Sequence, residues 1–236
     1  MDQRLTNMLR NTKHSKGKIF FSETGEDILL QQLFKSKVGR YIDIGSGQPV
    51  IGSNSFLFYK MGWNGICIDP QPNLALSYKI LRPRDIFLPY LVGTNEFEDL
   101  YEFENKLLST TNPKVAAYHK SNGRNYKIHK HRSVLIRDYL PQRISPDEDF
   151  FISIDIEGAE FNVIREIDFE NQRPRAILIE LWGNPWITRS KITSFLYKNN
   201  YQLFAYTGLT ALFIPKELEI KTIKVRSNLS VLNEIA

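Results

Sequence analysis

Two short segments constrain the fold of this chain more than any other part of the sequence. Residues 41–49 (YIDIGSGQP) predict a buried strand that ends in a glycine turn, and residues 65–70 (GICIDP) predict a second strand that ends in a carboxylate. Glycine lets the backbone approach a ligand without a Cβ, and an acid closing the next strand accepts hydrogen bonds from both ribose hydroxyls. The pattern therefore predicts a site for an adenosine-bearing cofactor, unless the glycines serve only the turn of an ordinary strand–turn–helix unit. The expected cofactor residues of these segments are Gly45, Ser46, Gly47, Asp69 and Pro70.

The glycine turn lacks the features of a phosphate site. A dinucleotide turn has the pattern G-x-G-x-x-G, whose backbone amides face a pyrophosphate at a helix N-terminus. Here Val50 stands at the third glycine position, and Pro49 has no amide hydrogen to donate. A cofactor without phosphate tolerates both changes. The turn therefore predicts S-adenosylmethionine as the cofactor and a methyltransferase as the class of enzyme.

Several blocks of the chain, in the same order, resemble the FkbM-type methyltransferases. With the two segments above, the blocks are SETGEDILL at 22–30, SNS at 53–55, FY at 58–59, GWNG at 62–65, DPQP at 69–72, LSTT at 108–111, IDIEGAE at 154–160 and ALFI at 211–214. The resemblance implies a class I, Rossmann-like O-methyltransferase, of a kind that often acts on hydroxyls of glycans or natural products. It also places Glu26 near the cofactor, although a solvated carboxylate in a first helical turn is the simpler interpretation. It does not identify the acceptor.

Length and composition agree with one catalytic domain. The chain has 236 residues, of which 42% are hydrophobic and 24% charged, as in a soluble globular protein. No apolar run approaches the ~20 residues that span a bilayer, and the basic N-terminus has no signal-peptide core, so we expect a cytoplasmic protein. We expect a basic tail at 1–20 and a single domain at 21–236. Cys67, the single cysteine, is expected in a buried strand.

The order of predicted elements indicates an α/β fold of the class I methyltransferase type. Strands are predicted at 40–45, 64–69, 86–92, 150–155, 175–181, 201–206 and 210–215, and helices at 26–34, from 53, at 73–81, 160–167 and 188–199. The opening helix is expected to bury Ile28, Leu29, Leu33 and Phe34. Residues 207–209 are too few for a crossover helix, so the last two strands must form an antiparallel hairpin. We expect a seven-stranded, mostly parallel sheet with helices on both faces.

An insertion interrupts this alternation at about 94–132. It lies above the carboxyl edge of the sheet, where open α/β folds bind ligands, and is expected to form a helical flap over the acceptor at 107–125 and an extended segment at 126–132. The chain has 31 basic and 26 acidic residues. Part of the excess lies in the insertion, at Lys114, Lys120, Arg124, Lys127, Lys130 and Arg132, beside His119, His129 and His131. These residues either face an anionic acceptor or form a solvated surface.

Carboxylates at two predicted strand ends are the candidate catalytic residues. A sugar hydroxyl is a poor acid, so its methylation benefits from a base or a metal ion. Asp155 is the expected base or metal ligand, with Glu157 and Glu180 assisting; a divalent metal such as Mg²⁺, if any, would lie on Asp155 and Glu180. Glu160 can equally serve the helix dipole, and Asp155 can instead cap the helix that follows it. His129 or His131 is the alternative base.

The remaining cofactor contacts follow from the same fold. Asp43 is expected behind the turn, holding the methionine amino group directly or through water. Asn54 is expected to bind the cofactor carboxylate or to cap a helix. Val92 is expected beside the adenine, which backbone groups must recognise because residues 92–94 (VGT) lack the acid that many methyltransferases place there.

The sequence leaves two classes of function open. The first is an O-methyltransferase that acts on a carbohydrate or other small-molecule hydroxyl. Within that class, the basic insertion also allows a phosphorylated or nucleic-acid acceptor, although nucleic acid is disfavoured because the basic residues lack interleaved aromatics for base stacking. The second class is a non-catalytic cofactor-binding protein of the same fold.

Overall fold

The computed structural model of the protein describes residues 19–34, 38–140, 149–181 and 190–218. The strands are β1 (Arg40–Ile44), β2 (Asn64–Ile68), β3 (Ile86–Leu88), β4 (Leu91–Val92), β5 (Phe97–Phe103), β6 (Tyr126–Val134), β7 (Phe150–Ile154), β8 (Ala176–Glu180), β9 (Tyr201–Tyr206) and β10 (Thr210–Pro215). The helices are α1 (Glu26–Gln31), α2 (Phe56–Lys60), α3 (Leu74–Leu81), α4 (Pro113–Ser121), α5 (Glu160–Ile164) and α6 (Lys191–Lys198). Short 3-10 turns span Lys106–Leu108 and Ile136–Asp138.

Seven strands form the main sheet, in the order β3-β2-β1-β7-β8-β10-β9. The pairs from β3 to β8 are parallel, and β10 runs antiparallel to both β8 and β9. The predicted Rossmann-like class I methyltransferase fold is therefore confirmed, including its terminal hairpin. The hairpin is closed by the amide of Thr207, which donates to the carbonyl of Thr210.

The sheet carries an apolar layer on each face because the side chains of successive strand residues point to opposite sides. On one face, Ile42 and Ile44 of β1 join a buried cluster that includes Val163 of α5 and Leu196 of α6. On the other face, Tyr41 joins a cluster to which α1, α2 and α3 contribute buried residues, with Trp63 and Cys67 also buried. Helices therefore cover both faces, as expected.

The third predicted strand, 86–92, is wrong as a single strand. Strand β3 ends at Leu88, and Pro89 has no amide hydrogen with which to continue the ladder. The chain then leaves the main sheet, and Leu91 pairs with Ser133 in a second sheet. This second sheet has the order β4-β6-β5.

The insertion is more regular than its polar composition suggested. Strand β5, which was not predicted, pairs antiparallel with β6 along its whole length, from Phe97 opposite Arg132 to Phe103 opposite Tyr126. The predicted extended segment at 126–132 lies within β6, and α4 lies within the predicted helical flap at 107–125. Strand β5 was hard to recognise because its two buried residues, Leu100 and Phe103, do not follow the alternation of a half-buried strand.

The opening helix differs from its predicted packing. Helix α1 ends at Gln31, and its fully buried apolar side chain is Leu30, whereas Ile28 and Leu29 are only half-buried. Leu33 and Phe34 are buried as expected, in the turn after the helix. Helix α6 begins at Lys191 after its cap Ser190, so the first residues of the helix predicted at 188–199 lie outside the described residues. The basic tail expected at 1–20 lies outside them as far as residue 18.

Candidate active site

The strand register gathers the predicted site residues at one edge of the main sheet. Ile44 of β1 lies opposite Ile68 of β2 and Ile154 of β7, and Ile154 lies opposite Ile179 of β8. The next residues along the four strands therefore follow in one row: Gly45, Asp69, Asp155 and Glu180. A ligand at the carboxyl edge meets the glycine turn on one side and the carboxylates on the other.

A cavity of about 380 Å³ opens above this row. That volume lies within the range of small-molecule and cofactor sites. Its floor includes four strand ends, and its roof comes from the insertion, whose lining residues are Leu100, Glu102 and Thr111 together with residues 105–109. Of the predicted cofactor residues, those that line the cavity are Gly45, Gly47, Asp69, Pro70 and Val92.

Gly45 and Gly47 are glycines for different physical reasons. A Cβ on Gly45 would lie 1.7 Å from the carbonyl oxygen of Asp155, because β1 and β7 run side by side to their ends. Gly47 has a φ of 52°, in the left-handed region, and a Cβ there would enter open space beside the cavity. Gly45 is therefore required by the sheet, while Gly47 leaves room for a ligand.

Three successive backbone amides of the turn are already occupied. The amides of Gly45 and Ser46 donate to the carbonyl of Ile68, at 2.9 and 3.2 Å. The amide of Gly47 donates to Asp69 Oδ2 at 3.0 Å. Pro49 has no amide hydrogen. The turn thus offers no row of amides to a pyrophosphate, which fits a cofactor that carries no phosphate.

Asp69 is held in position to accept further hydrogen bonds. Its Oδ1 accepts from the amide of Gln71 at 2.9 Å, and its Oδ2 accepts from Gly47. Burial raises the pKa of Asp69, and the two amide hydrogen bonds oppose that rise. Each carboxylate oxygen keeps a lone pair that can accept from a ribose hydroxyl. Beside it, Pro70, Leu91 and Val92 give the cavity an apolar wall.

Three predicted cofactor residues do not line the cavity. Asp43 is buried behind the turn, as expected, and accepts a hydrogen bond from Ser55 Oγ. Ser46 is buried beneath the turn. Asn54 donates its side-chain amide to Ser153 Oγ at 3.0 Å. It does not cap α2, since the amide of Phe56 donates to Ser53 Oγ instead.

Arg82 is a residue that the sequence did not single out. Its side chain is fully buried, and its Nε donates to Asp85 Oδ2 at 2.6 Å. Its Nη1 donates to the carbonyl of Pro49 and to Ser53 Oγ, both at 3.1 Å. An arginine after a helix is usually solvated, so no sequence signal distinguishes this one. The guanidinium joins α3 to both ends of the segment that follows the glycine turn.

Asp155, Glu157 and Glu180 meet at the edge of the cavity. Each offers a carboxylate oxygen that lies within 4.8 Å of the other two. Glu157 Oε2 and Glu180 Oε2 are buried without a hydrogen-bond partner among the described residues. The structure therefore brings together the three residues that the sequence proposed for catalysis, and leaves two of their oxygens available.

The three carboxyl groups of the cluster have raised pKa values because they lie close together and are poorly solvated. Burial raises the pKa of Asp155 and of Glu180, and neighbouring carboxylates raise both further. A hydrogen bond between the two lowers the pKa of Asp155 and raises that of Glu180, so Glu180 is the member that keeps the proton. Asp155 is the more open of the two, although its open surface faces the cavity. Burial, and then Asp155, raise the pKa of Glu157 to about 8.

Three other glutamates near the cavity have distinct surroundings. Glu160 Oε1 accepts from the amides of Gly158, at 2.8 Å, and Ile156, at 3.2 Å, so it stabilises the turn before α5. The expectation of a solvated Glu26 is wrong: it is buried, and its Oε1 accepts from Thr207 Oγ1 at 2.8 Å. Glu23, which the sequence did not single out, lines the cavity.

The basic residues of the insertion from Lys114 onward lie outside the cavity. All six, from Lys114 to Arg132, are exposed, and none is among the described lining residues. Lys106 is the basic side chain that does line the cavity, and it forms an ion pair with Glu102. His129 Nε2 lies 3.3 Å from Glu102 Oε2, at the outer side of the roof. Neither His129 nor His131 lines the cavity.

No helix in the described part of the chain is long and apolar enough to cross a membrane.

A search of curated protein sequences returned no significant match. One solved structure, a TehB-like SAM-dependent methyltransferase from Corynebacterium glutamicum, aligns with a TM-score of 0.41 and 14% identity over 90% of this chain and 97% of that chain. At this score the alignment supports no conclusion about this chain.

The sequence profile of the methyltransferase FkbM domain matches residues 38–203, which is more than half of the chain. The matched range contains the glycine turn, Asp69, the insertion and all three clustered carboxylates. The chain therefore belongs to the FkbM methyltransferase family and is an S-adenosylmethionine-dependent methyltransferase.

Proposed function

We propose that this enzyme methylates a hydroxyl group of an uncharged, carbohydrate-like acceptor, and that Asp155 removes the hydroxyl proton. The observation that carries the proposal is the meeting of three carboxylates at the cavity edge, with ligand atoms within 4.8 Å of one another. A base beside the acceptor is what a weakly acidic hydroxyl needs. Glu157 and Glu180 assist by setting the charge around Asp155.

Residues of the glycine turn and of β2 are proposed to hold the cofactor. Asp69 accepts from the ribose hydroxyls, and Pro70 and Val92 contact the adenine. Gly45 and Gly47 pass under the ribose and methionine, with Ser46, Asp43 and Asn54 supporting the turn from behind. When bound there, S-adenosylmethionine supplies an electrophilic methyl group, and the chain's own contribution is to align the acceptor and to accept its proton.

The charge of the cavity favours a neutral acceptor. Among the described residues, six acidic side chains line it: Glu23, Asp69, Glu102, Asp155, Glu157 and Glu180. The basic lining residue Lys106 is paired with Glu102. An ionised carboxylate only accepts hydrogen bonds and repels a phosphate, whereas a protonated carboxyl group both donates and accepts. The lining therefore suits the hydroxyls of a polyol in either protonation state. The alternative is a phosphorylated or nucleic-acid acceptor, which the six exposed basic residues of the insertion favour. Such an acceptor would have to bind outside the cavity.

The same carboxylates are also where a divalent cation would bind in this chain. Oxygen ligands from Asp155, Glu157 and Glu180 suit Mg²⁺, and the two oxygens without a hydrogen-bond partner fit a cation. A bound cation would act as a Lewis acid on the acceptor oxygen. Under this variant of the proposal, Asp155 and Glu180 are ligands, and the acceptor proton passes to solvent water.

The test uses S-adenosylmethionine with a labelled methyl group and a panel of acceptors. The panel contains neutral saccharides, their phosphorylated forms and an RNA oligonucleotide, and alkali treatment of the product separates a methyl ether from a methyl ester. We expect alkali-stable label on a neutral saccharide. Label only on phosphorylated sugars or RNA would overturn the acceptor class, and bound cofactor without any turnover would favour a non-catalytic protein.

The change Asp155→Asn tests the catalytic role of this carboxylate. Helix α5 follows Ala159 and has no side-chain cap, so the alternative in which Asp155 caps it is wrong. Loss of a general base lowers turnover by roughly 10² or more. We expect that loss, with binding of S-adenosylhomocysteine retained in calorimetry. If a chelator abolishes wild-type activity and Mg²⁺ restores it, the carboxylates are metal ligands. Near-native turnover of Asp155→Asn would overturn Asp155 as the base.

A further inference from the structure

The motif LSTT at 108–111 has a structural partner in the catalytic segment. Thr110 is fully buried, and its Oγ1 donates to the carbonyl oxygen of Glu157 at 2.6 Å. The same hydroxyl accepts from the amide of Asn112 at 2.9 Å. The Thr110 hydroxyl therefore both donates and accepts. The hydrogen bond that it donates reaches a residue of the carboxylate cluster that is 47 positions away along the chain.

Thr110 is itself fixed to the second sheet. The amide of Tyr101 in β5 donates to the carbonyl of Thr110 at 2.9 Å, and the amide of Thr110 donates back to Tyr101 at 3.2 Å. Asn112 makes a second connection, because its Nδ2 donates to the carbonyl of Gly158 at 2.8 Å while its Oδ1 caps α4 at the amide of Lys114. The insertion is thus bound at two adjacent carbonyls of the segment that carries the cluster.

The two carbonyls belong to residues with unusual backbone geometry. Glu157 has a φ of 56° and Gly158 a φ of 97°. Among the described residues, Asn200 is the other non-glycine residue with a positive φ. A left-handed glutamate persists only where its surroundings hold it. Here the surroundings are the Thr110 hydroxyl, the Asn112 amide and the Glu160 carboxylate that accepts from the amides of Ile156 and Gly158. The result is that the Glu157 side chain lines the cavity.

We propose that Thr110 and Asn112 are positioning residues that hold Glu157 in its left-handed conformation and thereby join the acceptor-covering insertion to the catalytic carboxylates. The proposal rests on the proposed function in that Glu157 assists Asp155. Neither residue removes a proton or contacts the cofactor turn. Their effect passes through the backbone of Glu157 and Gly158.

The first experiment measures turnover and cofactor affinity in four variants. Thr110→Val removes the hydroxyl at constant shape, and Thr110→Ser keeps it. Asn112→Asp keeps the oxygen that caps α4 and loses the donor to Gly158, and Asn122→Asp places the same change at the other end of α4, where the side chain contacts Tyr118. We expect turnover to fall by about tenfold to 10²-fold in Thr110→Val and Asn112→Asp. Thr110→Ser and Asn122→Asp should stay within about twofold of wild type, as should the affinity of all four for S-adenosylhomocysteine.

A second experiment asks whether Thr110 acts through Glu157. In a double-mutant cycle, Thr110→Val should cost turnover in the wild type and little further in a Glu157→Gln background, because residues that act on one element are not additive. Equal losses in both backgrounds would overturn the proposal, as would normal turnover in Thr110→Val.

Amide hydrogen exchange tests the proposal without any acceptor. Exchange over residues 156–160 should become faster in Thr110→Val and Asn112→Asp and stay unchanged in Asn122→Asp. Unchanged exchange in both of the first two variants would overturn the proposal. If the wild type turns over no acceptor, the proposed function fails, whereas this readout still decides whether the two residues hold Glu157. Should Thr110→Val fail to fold, Asn112→Asp carries the test.

Discussion

At the scale of single residues, carboxylates of the same chemical type have different roles because their surroundings differ. Asp69 accepts two amide hydrogen bonds, so its charge is stabilised where a ribose would meet it. Asp155, Glu157 and Glu180 repel one another in a poorly solvated group, so they retain protons to higher pH. The first arrangement suits binding, and the second suits proton transfer.

Asp69→Ala is expected to weaken cofactor binding without unfolding the protein. A hydrogen bond to a charged group contributes about 1.5–3 kcal/mol, so the affinity for S-adenosylhomocysteine should fall by that amount in calorimetry. Asp99→Ala, at an exposed position of β5, is the control for removal of a charge. An unchanged affinity in Asp69→Ala would mean that this carboxylate does not hold the ribose.

Glu180→Gln is expected to stabilise the protein at alkaline pH while lowering its activity. The folded-state pKa of Glu180 is raised above its unfolded value, so its contribution to stability is fully present below the unfolded pKa near 4.3 and is lost as the pH rises through the raised pKa. Glutamine does not ionise, so the variant does not lose stability in this way as the pH rises. Thermal unfolding at about pH 5, 7 and 9 should show a melting temperature that falls less steeply with pH in the variant. Melting temperatures that fall with pH in parallel in the wild type and in Glu180→Gln would contradict this reasoning. An equally reduced slope in the exposed control Glu104→Gln would contradict it too.

At the scale of elements, the segment 45–55 has little regular structure and is shaped by side chains of its neighbours. Arg82, which caps the end of α3, holds the carbonyl of Pro49 and the hydroxyl of Ser53. Tyr78 of the same helix donates towards the carbonyls of Ser46 and Gly47, at 3.4 and 3.3 Å. The conformation of the cofactor turn therefore depends on α3 as well as on its own glycines.

Arg82→Lys is expected to weaken cofactor binding by about tenfold or more, equivalent to about 1.4 kcal/mol. Lysine keeps the charge beside Asp85 and loses the planar fork that reaches Pro49 and Ser53 together. The measurement is calorimetry with S-adenosylhomocysteine. Arg84→Lys is the matched control, because Arg84 donates to the carbonyl of Tyr59 and does not reach the turn. Equal affinities in the two variants would argue against this role of Arg82.

At the scale of the whole molecule, the site exists only where two sheets meet. The main sheet supplies the floor of the cavity, and the second sheet, with the turn that follows β5, supplies its roof. A ligand in the cavity contacts both, so its binding should stabilise the folded chain as a unit.

S-adenosylhomocysteine at a concentration about 100 times its Kd should add about 2.7 kcal/mol to the free energy of unfolding. For a chain of this size, that corresponds to a rise of roughly 5–10 °C in melting temperature. NAD at the same concentration should give no rise, because Pro49 and the occupied amides of the turn offer nothing to its pyrophosphate. A shift with NAD as large as that with S-adenosylhomocysteine would contradict the assignment of the turn.

The fold and the floor of the site were readable from the sequence because they depend on local patterns. Buried strands read as apolar runs, and the acids that close them must meet at the carboxyl edge once the strands are parallel. Asp69, Asp155 and Glu180 could therefore be placed before any coordinates. The terminal hairpin followed from the three residues that separate its strands.

Other features depended on contacts between distant parts of the chain, which no local pattern records. The pairing of Leu91 with Ser133, the pairing of β5 with β6 and the full burial of Arg82 each require a partner far away in the sequence. The exposure of the basic side chains at 114–132 and the place of Glu102 in the roof were likewise decided by which face of the insertion meets the main sheet. The sequence by itself determined the fold class and the row of groups along the sheet edge. The tertiary structure decided what covers that row and holds its turns in place, since those contacts form only when the two sheets pack together.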